Sequence, residues 1–240
     1  MKKILLSLVI IACSLSVNAQ KLDFWLDAGA KVQTGMSMLY NSAIGDDPNY
    51  DYTFANSTKI GGKLGINWNY TGVSFDVMVG SLNGTFQNTS PGGGDDYEVS
   101  VNSVDIYVLF RDARRKGYFE VGPKVSFLGD VKAGPQNGEK AIMNPDHYEK
   151  NPLAAVIGFG TYVLGNDGRF SGILGLRFEY GFTDIVSAEG AMAANRQPVN
   201  YTGEAAGTHP IFAGIVFELN WGIGGVGQAR CGEKSKFIWF

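Results

Sequence analysis

Cysteine and histidine are nearly absent from this sequence, with two of each in 240 residues. Cys13 lies in the opening apolar stretch, so Cys231 stands alone in the remainder and no internal disulfide can form there, even in an oxidising compartment. No Cys or His spacing offers zinc a ligand set. Charge is sparse as well, at 18% of residues with a formal net of -3, which excludes a nucleic-acid-binding or disordered chain. After the first 13 residues no apolar run approaches the roughly 18 residues that a membrane-crossing helix needs. A helical membrane protein is thereby excluded. Glycine is what the chain has in excess: 33 residues, against a usual share of about 7%.

The opening segment stands apart from the fold. Lys2 and Lys3 precede a short apolar core from Ile4 to Ala12, and Val17-Asn18-Ala19 sets small or short residues where a signal peptidase reads. Residues 1–19 are expected to be an export signal cleaved after Ala19. Ile10-Ile11-Ala12-Cys13 loosely resembles a lipoprotein signal, but its apolar core is too short for one. Cleavage removes Lys2 and Lys3 and takes the formal charge from -3 to -5.

Beyond that point apolar residues recur at every second position, with little helical spacing. Leu22, Phe24, Leu26, Ala28, Ala30 and Val32 share one face of the first segment, opposite Asp23, Trp25, Asp27, Gly29 and Lys31. The same alternation continues through Ile60 to Trp68, Val73 to Val79, Val104 to Phe110, Phe119 to Phe127, Phe170 to Phe182 and Ile211 to Ile223. Leu153 to Leu164 is apolar on both faces, so its orientation stays open. The connections alternate long (33–58, 86–97, 129–152, 184–208) and short (69–72, 111–117, 165–168), and two of the short ones, Asn69-Tyr70-Thr71-Gly72 and Gly165-Asn166-Asp167-Gly168, carry tight-turn chemistry. Strands long enough to cross a bilayer when tilted, with long loops at one end, predict an all-β, eight-stranded antiparallel up-and-down transmembrane barrel. Four long outer loops and three short periplasmic turns would connect its strands. The barrel is expected over residues 20–223 with both ends in the periplasm, and residues 224–240 as a short periplasmic tail.

A second regularity concerns one end only. At the short-turn end the outermost apolar-face residue is aromatic in seven strands: Phe24, Trp68, Phe75, Phe110, Phe119, Phe170 and Trp221. Such rings prefer the headgroup level, so these residues predict an aromatic girdle. With the apolar face toward lipid, the other face would fill the lumen with Asp27, Asp76, Asp105, Glu120, Glu179 and Glu218 against Lys31, Lys63, Lys124 and Arg177. Unpaired charge is costly in so narrow a space. A plugged interior of ion pairs and water is expected, with glycines easing the crowding. Pro123, on the apolar face of the fifth strand, costs a ladder hydrogen bond and predicts a bulge.

Leu176-Arg177-Phe178-Glu179-Tyr180-Gly181-Phe182-Thr183-Asp184-Ile185, preceded by Tyr118-Phe119-Glu120-Val121-Gly122-Pro123 and a signal ending Asn18-Ala19-Gln20, resembles the small PorT-like outer-membrane barrels of Bacteroidota, which share the architecture of the OmpA and OmpX barrels. The resemblance covers most of the chain after the signal, and its more specific part is Arg-x-x-Tyr-Gly-x-Thr-Asp. It implies an integral outer-membrane protein, in contact with outer-membrane lipid and lipopolysaccharide and inserted by the barrel assembly machinery. A role in secretion does not follow from shape. The tail departs from the usual pattern, in which the last strand closes on a terminal aromatic residue.

The search for chemistry finds little. His147 and His209 are the only imidazoles, and His209-Pro210-Ile211 lacks the His and Ser two apart that a lipid deacylase would show. Asp46-Asp47 and Asp146-His147 faintly resemble the paired groups of omptin proteases, with the wrong spacing. Asp46, Asp47, Asp95 and Asp96 are oxygen donors that read better as solvated loop residues than as a cation site. No cofactor, catalytic residue or metal site is expected. The long loops are the expected seat of specificity toward a surface or secretion-system protein. Tyr40, Tyr50, Tyr52, Phe54 and Tyr148 could meet such a partner or pack on one another over the mouth. The expected function is a structural, adhesive or secretion-associated envelope element; the alternatives are a surface hydrolase using His147 or His209, or a narrow solute pore.

Overall fold

The computed structural model describes residues 24–90, 93–114, 116–165, 170–193, 197–202, 204–227 and 236–239. The expected export signal lies outside the described residues. Eight strands are β1 (Phe24–Asn41), β3 (Ala55–Trp68), β4 (Thr71–Asn88), β5 (Tyr97–Ala113), β6 (Gly117–Pro135), β8 (Leu153–Leu164), β9 (Phe170–Gly181) and β10 (Thr208–Gly227). Three short ones are β2 (Tyr50–Thr53), β7 (Ala141–Ile142) and β11 (Lys236–Trp239). Two single-turn helices, α1 (Ser42–Gly45) and α2 (Ala188–Met192), and a 3-10 turn at Pro145–His147 sit in the connections.

The eight long strands pair antiparallel in the order β1-β3-β4-β5-β6-β8-β9-β10, and β10 pairs back onto β1. Hydrogen bonding therefore closes on itself. Following paired residues once round from Leu26, through Ile66, Val73, Phe110, Val121, Ile157, Phe178 and Ala213, returns the path to β1 at Met36, ten positions along. At about 3.3 Å per residue and roughly 4.8 Å between strands, an eight-stranded ring with that stagger has strands tilted by about 40° and a backbone radius of about 8 Å. Such an interior is filled by side chains.

The outward face is apolar. Ile60, Leu64, Val77 and Val79 are 47% to 64% exposed, while Lys31, Asp76, Asp105, Glu120, Arg177 and Glu218 are fully buried. β8, apolar on both faces in sequence, turns Ala154, Val156 and Gly158 inward and Leu153, Ile157 and Phe159 outward.

Several strands run further than alternation of apolar residues indicates. β1 continues to Asn41, β4 to Asn88 and β6 to Pro135, because the outward residues beyond the apolar band, such as Ser81 and Asn83, are polar while the backbone pairing persists. β10 reaches Gly227, with Gly224, Gly225 and Val226 still paired to Leu26, Trp25 and Phe24. Lys236–Trp239 pairs with its other edge at Gly224–Gly227. Part of the expected tail is thus a strand. The first short turn is the two-residue link Asn69-Tyr70, with Asn69 at φ 56, a left-handed conformation that Asn tolerates. The β5–β6 ladder lapses opposite Gly122 and Pro123 but resumes in unchanged register, so no bulge forms there; the register shift lies between Val101 and Ser103.

Candidate functional site

The ring interior has three levels along its axis. At the long-loop end is an apolar cap, in the middle a layer of buried charges, and at the short-turn end a polar cavity.

The middle layer follows from alternation, since inward positions on seven strands carry long polar side chains. Lys31 Nζ lies 2.5 Å from Asp76 Oδ2 and 3.0 Å from Glu218 Oε2. Lys63 Nζ is 2.7 Å from Glu218 Oε1 and 3.4 Å from Asp27 Oδ1. Arg177 donates from Nη2 to Glu120 Oε1 at 2.6 Å, from Nη1 to the Gln33 amide oxygen at 3.1 Å, and lies 3.4 Å from Asp76 Oδ2. A second cluster joins Lys124 to Glu179 at 2.6 Å and to Asp105 at 3.7 Å. The clusters are linked by Gln33, which accepts from Arg177 and whose Nε2 donates to Glu179 Oε1 at 2.7 Å, while the Tyr107 hydroxyl, 3.0 Å from the same oxygen and 3.3 Å from Asp105 Oδ2, ties the second cluster together. All ten acids and bases singled out in the sequence lie in this network.

Two bases were missed. Lys59 pairs with Asp105. Arg111 donates to both oxygens of Glu218, at 2.7 and 2.8 Å, and to Glu120 at 2.6 Å. Lys59 stands on the alternating inward face, and Arg111 directly follows Phe110; the signal for both was parity carried one step further. With them, six bases face six acids among the described interior residues. The Arg177 and Arg111 guanidiniums also lie over the Tyr107 and Tyr118 rings, 5.0 and 4.6 Å from their centroids.

β8 gives no charge to this layer, and its small inward residues are what make room for it. A Cβ on Gly158 would sit 2.8 Å from Glu120 Oε1. On β3, a Cβ on Gly65 would sit 2.2 Å from Asp27 Oδ1. Glycine at these positions is required by the long acids of the neighbouring strands.

The cap is a cluster of fourteen buried apolar residues. Strand ends supply Leu39, Leu82, Phe86, Val99, Val101, Val131, Ala133 and Phe212, and the connections Ile44, Tyr148, Ile185, Val186, Val199 and Tyr201. Tyr50 and Tyr52 pack against it, Tyr40 stacks on Tyr52 at 5.7 Å, and the Tyr148 hydroxyl donates to Gln197 at 2.9 Å. Burial pushes the Tyr148 phenol up from its ordinary value. Phe54 is 66% exposed. Asp47 ties the first connection to the last, accepting from the Thr202 amide and hydroxyl and from the Asn49 amide. Partial burial raises the Asp47 carboxyl, but these hydrogen bonds outweigh it and hold the group below its ordinary 3.8.

The seven end aromatics lie at outward positions, with Phe24 paired to Trp68 and Phe170 to Trp221, the latter two 5.7 Å apart. His209 Nδ1 is 3.1 Å from the Gly181 carbonyl oxygen, and its ring stacks on Tyr180. His147 is half-buried in the 3-10 turn. Asp95 accepts from the Asn137 amide and Asp96 from the Asn88 backbone. Among the described residues no three His, Cys, Asp or Glu side chains are grouped to hold a metal.

No family model matches the chain, and no curated protein does. Among solved structures it is similar to Neisserial surface protein A, at 12% identity over 81% of this chain and 95% of that one, with a TM-score of 0.36. It is also similar to Ail, the attachment invasion locus protein of Yersinia pestis, solved with the heparin analogue sucrose octasulfate. There the identity is 12% over 81% of this chain and 99% of that one, with a TM-score of 0.37.

Proposed function

We propose that this chain is an integral outer-membrane β-barrel of the small PorT-like kind, acting as a structural, adhesive or secretion-associated element of the envelope. The observation that carries the reading is the inverted distribution of polarity. A closed ring of tilted strands exposes Ile60, Leu64, Val77, Val79 and Phe159 outward and buries an ionic network within. In water the exposed apolar surface would be a continuous liability, whereas acyl chains cover it at no cost to backbone hydrogen bonding, which the ring satisfies internally.

In this reading the export signal delivers the chain to the periplasm and the barrel assembly machinery inserts it. The seven end aromatics sit at the inner headgroup level, the three short turns and both ends face the periplasm, and lipid and lipopolysaccharide surround the outer wall. The lumen is plugged, and recognition belongs to the exposed parts of the long loops, Phe54 among them. The chain works without catalysis or cofactor.

Fractionation tests the location. The protein is expected in the outer-membrane pellet, soluble only with detergent and migrating differently on gels before and after heating; recovery in a detergent-free periplasmic extract overturns the reading. A deletion strain assayed for secretion, adhesion and envelope integrity separates the three roles.

A further inference from the structure

The apolar band on the outer wall is uneven in height. On β5 the outward apolar run spans six positions, from Val104 to Phe110, with Asn102 beyond one end and Asp112 beyond the other. On β4 it again spans six, from Val73 to Val79, between Thr71 and Ser81. On β9 it spans ten positions, from Phe170 to Tyr180, and on β10 ten, from Ile211 to Trp221. At about 3.3 Å per residue and a tilt of about 40°, six positions rise about 15 Å along the barrel axis and ten about 25 Å. The taller figure is the usual height of such a band, and the shorter one is about 10 Å below it.

The order of strands makes this difference directional. β4 and β9 stand four strands apart in the closed ring of eight, as do β5 and β10, so the low side of the band lies straight across the lumen from the high side. Tilting the whole barrel cannot remove such a wedge, because on any one side it moves both edges of the band together. The residues that end the short runs cannot reach a distant headgroup either. Thr71, Ser81 and Asn102 are short, unlike the lysines and arginines that stretch toward water. Above the run, Asn83 Nδ2 donates to the Asn56 carbonyl at 2.5 Å and Ser100 Oγ to Asn83 Oδ1 at 2.7 Å, a polar surface on the wall itself. Below it, the Asp112 carboxylate lies 3.3 Å from Arg114, whose side chain is 77% exposed. Drawing these groups into acyl chains is costly. A bilayer that meets an apolar span shorter than its own thickness thins to match it, at a modest cost per ångström.

We propose that the barrel tapers the membrane around it, holding the hydrocarbon up to about 10 Å thinner beside β4 and β5 than beside β9 and β10. The partner of the β4–β5 face is lipid, with acyl chains over Val104 to Phe110 and headgroups drawn down onto Ser81, Asn83, Ser100 and Asn102. This inference rests on the outer-membrane reading.

The test uses the full chain, carrying Cys13→Ser and Cys231→Ser, refolded into vesicles of dioleoylphosphatidylcholine at high lipid excess. Nitroxide labels are placed singly at Val104→Cys, Phe110→Cys, Ile211→Cys and Trp221→Cys. Competing relaxation by oxygen and a water-soluble nickel complex reads the depth of each label below the nearer membrane surface. For each strand the two end depths are added, a quantity that tilt leaves unchanged. A bilayer of even thickness gives β5 a summed depth about 10 Å greater than β10, whereas the taper brings the two sums within about 5 Å. Ser81→Leu with Asn102→Leu extends the low side by one outward position on each strand. It should raise the β5 sum by about 5 Å, and heat-modifiable migration checks that it folds. Should a labelled variant not fold, Val73→Cys and Val79→Cys on β4 against Phe170→Cys and Tyr180→Cys on β9 repeat the comparison.

An excess above about 5 Å on β5, or a sum that the double leucine variant leaves unchanged, overturns the proposal. So does a β5 label shielded from both reagents, which would place a second copy rather than lipid on this face. Four labels in water overturn the outer-membrane reading together with the taper; four labels in hydrocarbon with the full β5 excess overturn the taper alone.

Discussion

Removing the Arg177 guanidinium is the sharpest perturbation of the interior. Arg177 is fully buried and meets Glu120, Asp76 and Gln33 while covering the Tyr107 ring. Arg177→Met keeps most of the side-chain volume and leaves six acids against five bases. Breaking a buried ion pair by deleting one partner costs roughly 3–5 kcal/mol. Here the orphaned acids each retain a cation, because Glu120 keeps Arg111 at 2.6 Å and Asp76 keeps Lys31 at 2.5 Å. The cost should therefore fall near the low end, about 3 kcal/mol, or about two decades in the folding equilibrium. Urea titration of the refolded protein in lipid vesicles, read by heat-modifiable migration and tryptophan fluorescence, measures it. Adding Glu120→Gln restores neutrality and should recover at least about 1 kcal/mol, the mark of direct coupling. Arg177→Lys keeps the charge but cannot span Glu120 and Gln33 together, so it should lie between wild type and Arg177→Met. A loss under about 1 kcal/mol for Arg177→Met, or a double variant that is simply additive, refutes the view that this layer is a coupled electrostatic unit.

Three further outcomes follow from the same geometry. Gly158→Val drives a Cβ to within 2.8 Å of Glu120 Oε1 and should destabilise by roughly 1–3 kcal/mol in the same titration, whereas Gly94→Ala, with open space around it, should be silent. Val77→Arg places a charge in the apolar outer band and should cost roughly 2–4 kcal/mol in vesicles, and Asn83→Arg, higher on the same outward face, under about 1 kcal/mol; equal costs would argue against a bilayer around Val77. Because the Asp47 carboxyl is held below its ordinary 3.8, the stability it gives the loop tie is present above that value and is lost as pH falls through the lowered one. The protection of the Thr202 amide, taken relative to its intrinsic exchange at each pH, should fall on acidification, and Asp47→Asn should show less protection at pH near 6 with a flatter pH profile; identical profiles would show that the tie carries no charge-assisted stability.

Much of the architecture is legible from parity alone. Val104, Ile106, Val108 and Phe110 alternate with Asp105, Tyr107 and Leu109, and a strand in which one face is wholly apolar can be oriented without coordinates. The signal weakens where outward residues turn polar, as at Thr34, Ser81 and Asn83, which is why a loop is read from residue 33 and from residue 86 although pairing continues to Asn41 and Asn88. Ten members of the ionic layer stand at polar positions of alternating segments, whereas Lys59 and Arg111 stand at the margins of the apolar segments. The cap was invisible for a different reason. Ile44, Tyr148, Val199 and Tyr201 stand in long connections with no periodicity to mark them, and only the folding of three of those connections over one mouth brings them together. The tyrosines of the first loop carried two readings, and packing accounts for Tyr50 and Tyr52 while leaving Phe54 outside.

Two seals of unlike chemistry stand in series within the ring, and their order bears on what the barrel can do. The ionic layer is held by side chains on the strands themselves, so its members cannot part without distorting a wall in which each of the eight long strands is paired on both sides. The cap is held partly by residues of the connections, through ties such as Asp47 to Thr202 and Tyr148 to Gln197, each worth roughly 1–3 kcal/mol. Local opening starts where such ties are few and solvent is near. The cap is therefore the softer seal, and loosening it exposes the Lys59 and Lys124 side of the ionic layer without joining the two ends. The cavity at the short-turn end therefore stays a dead end, closed off from the loops by the ionic layer.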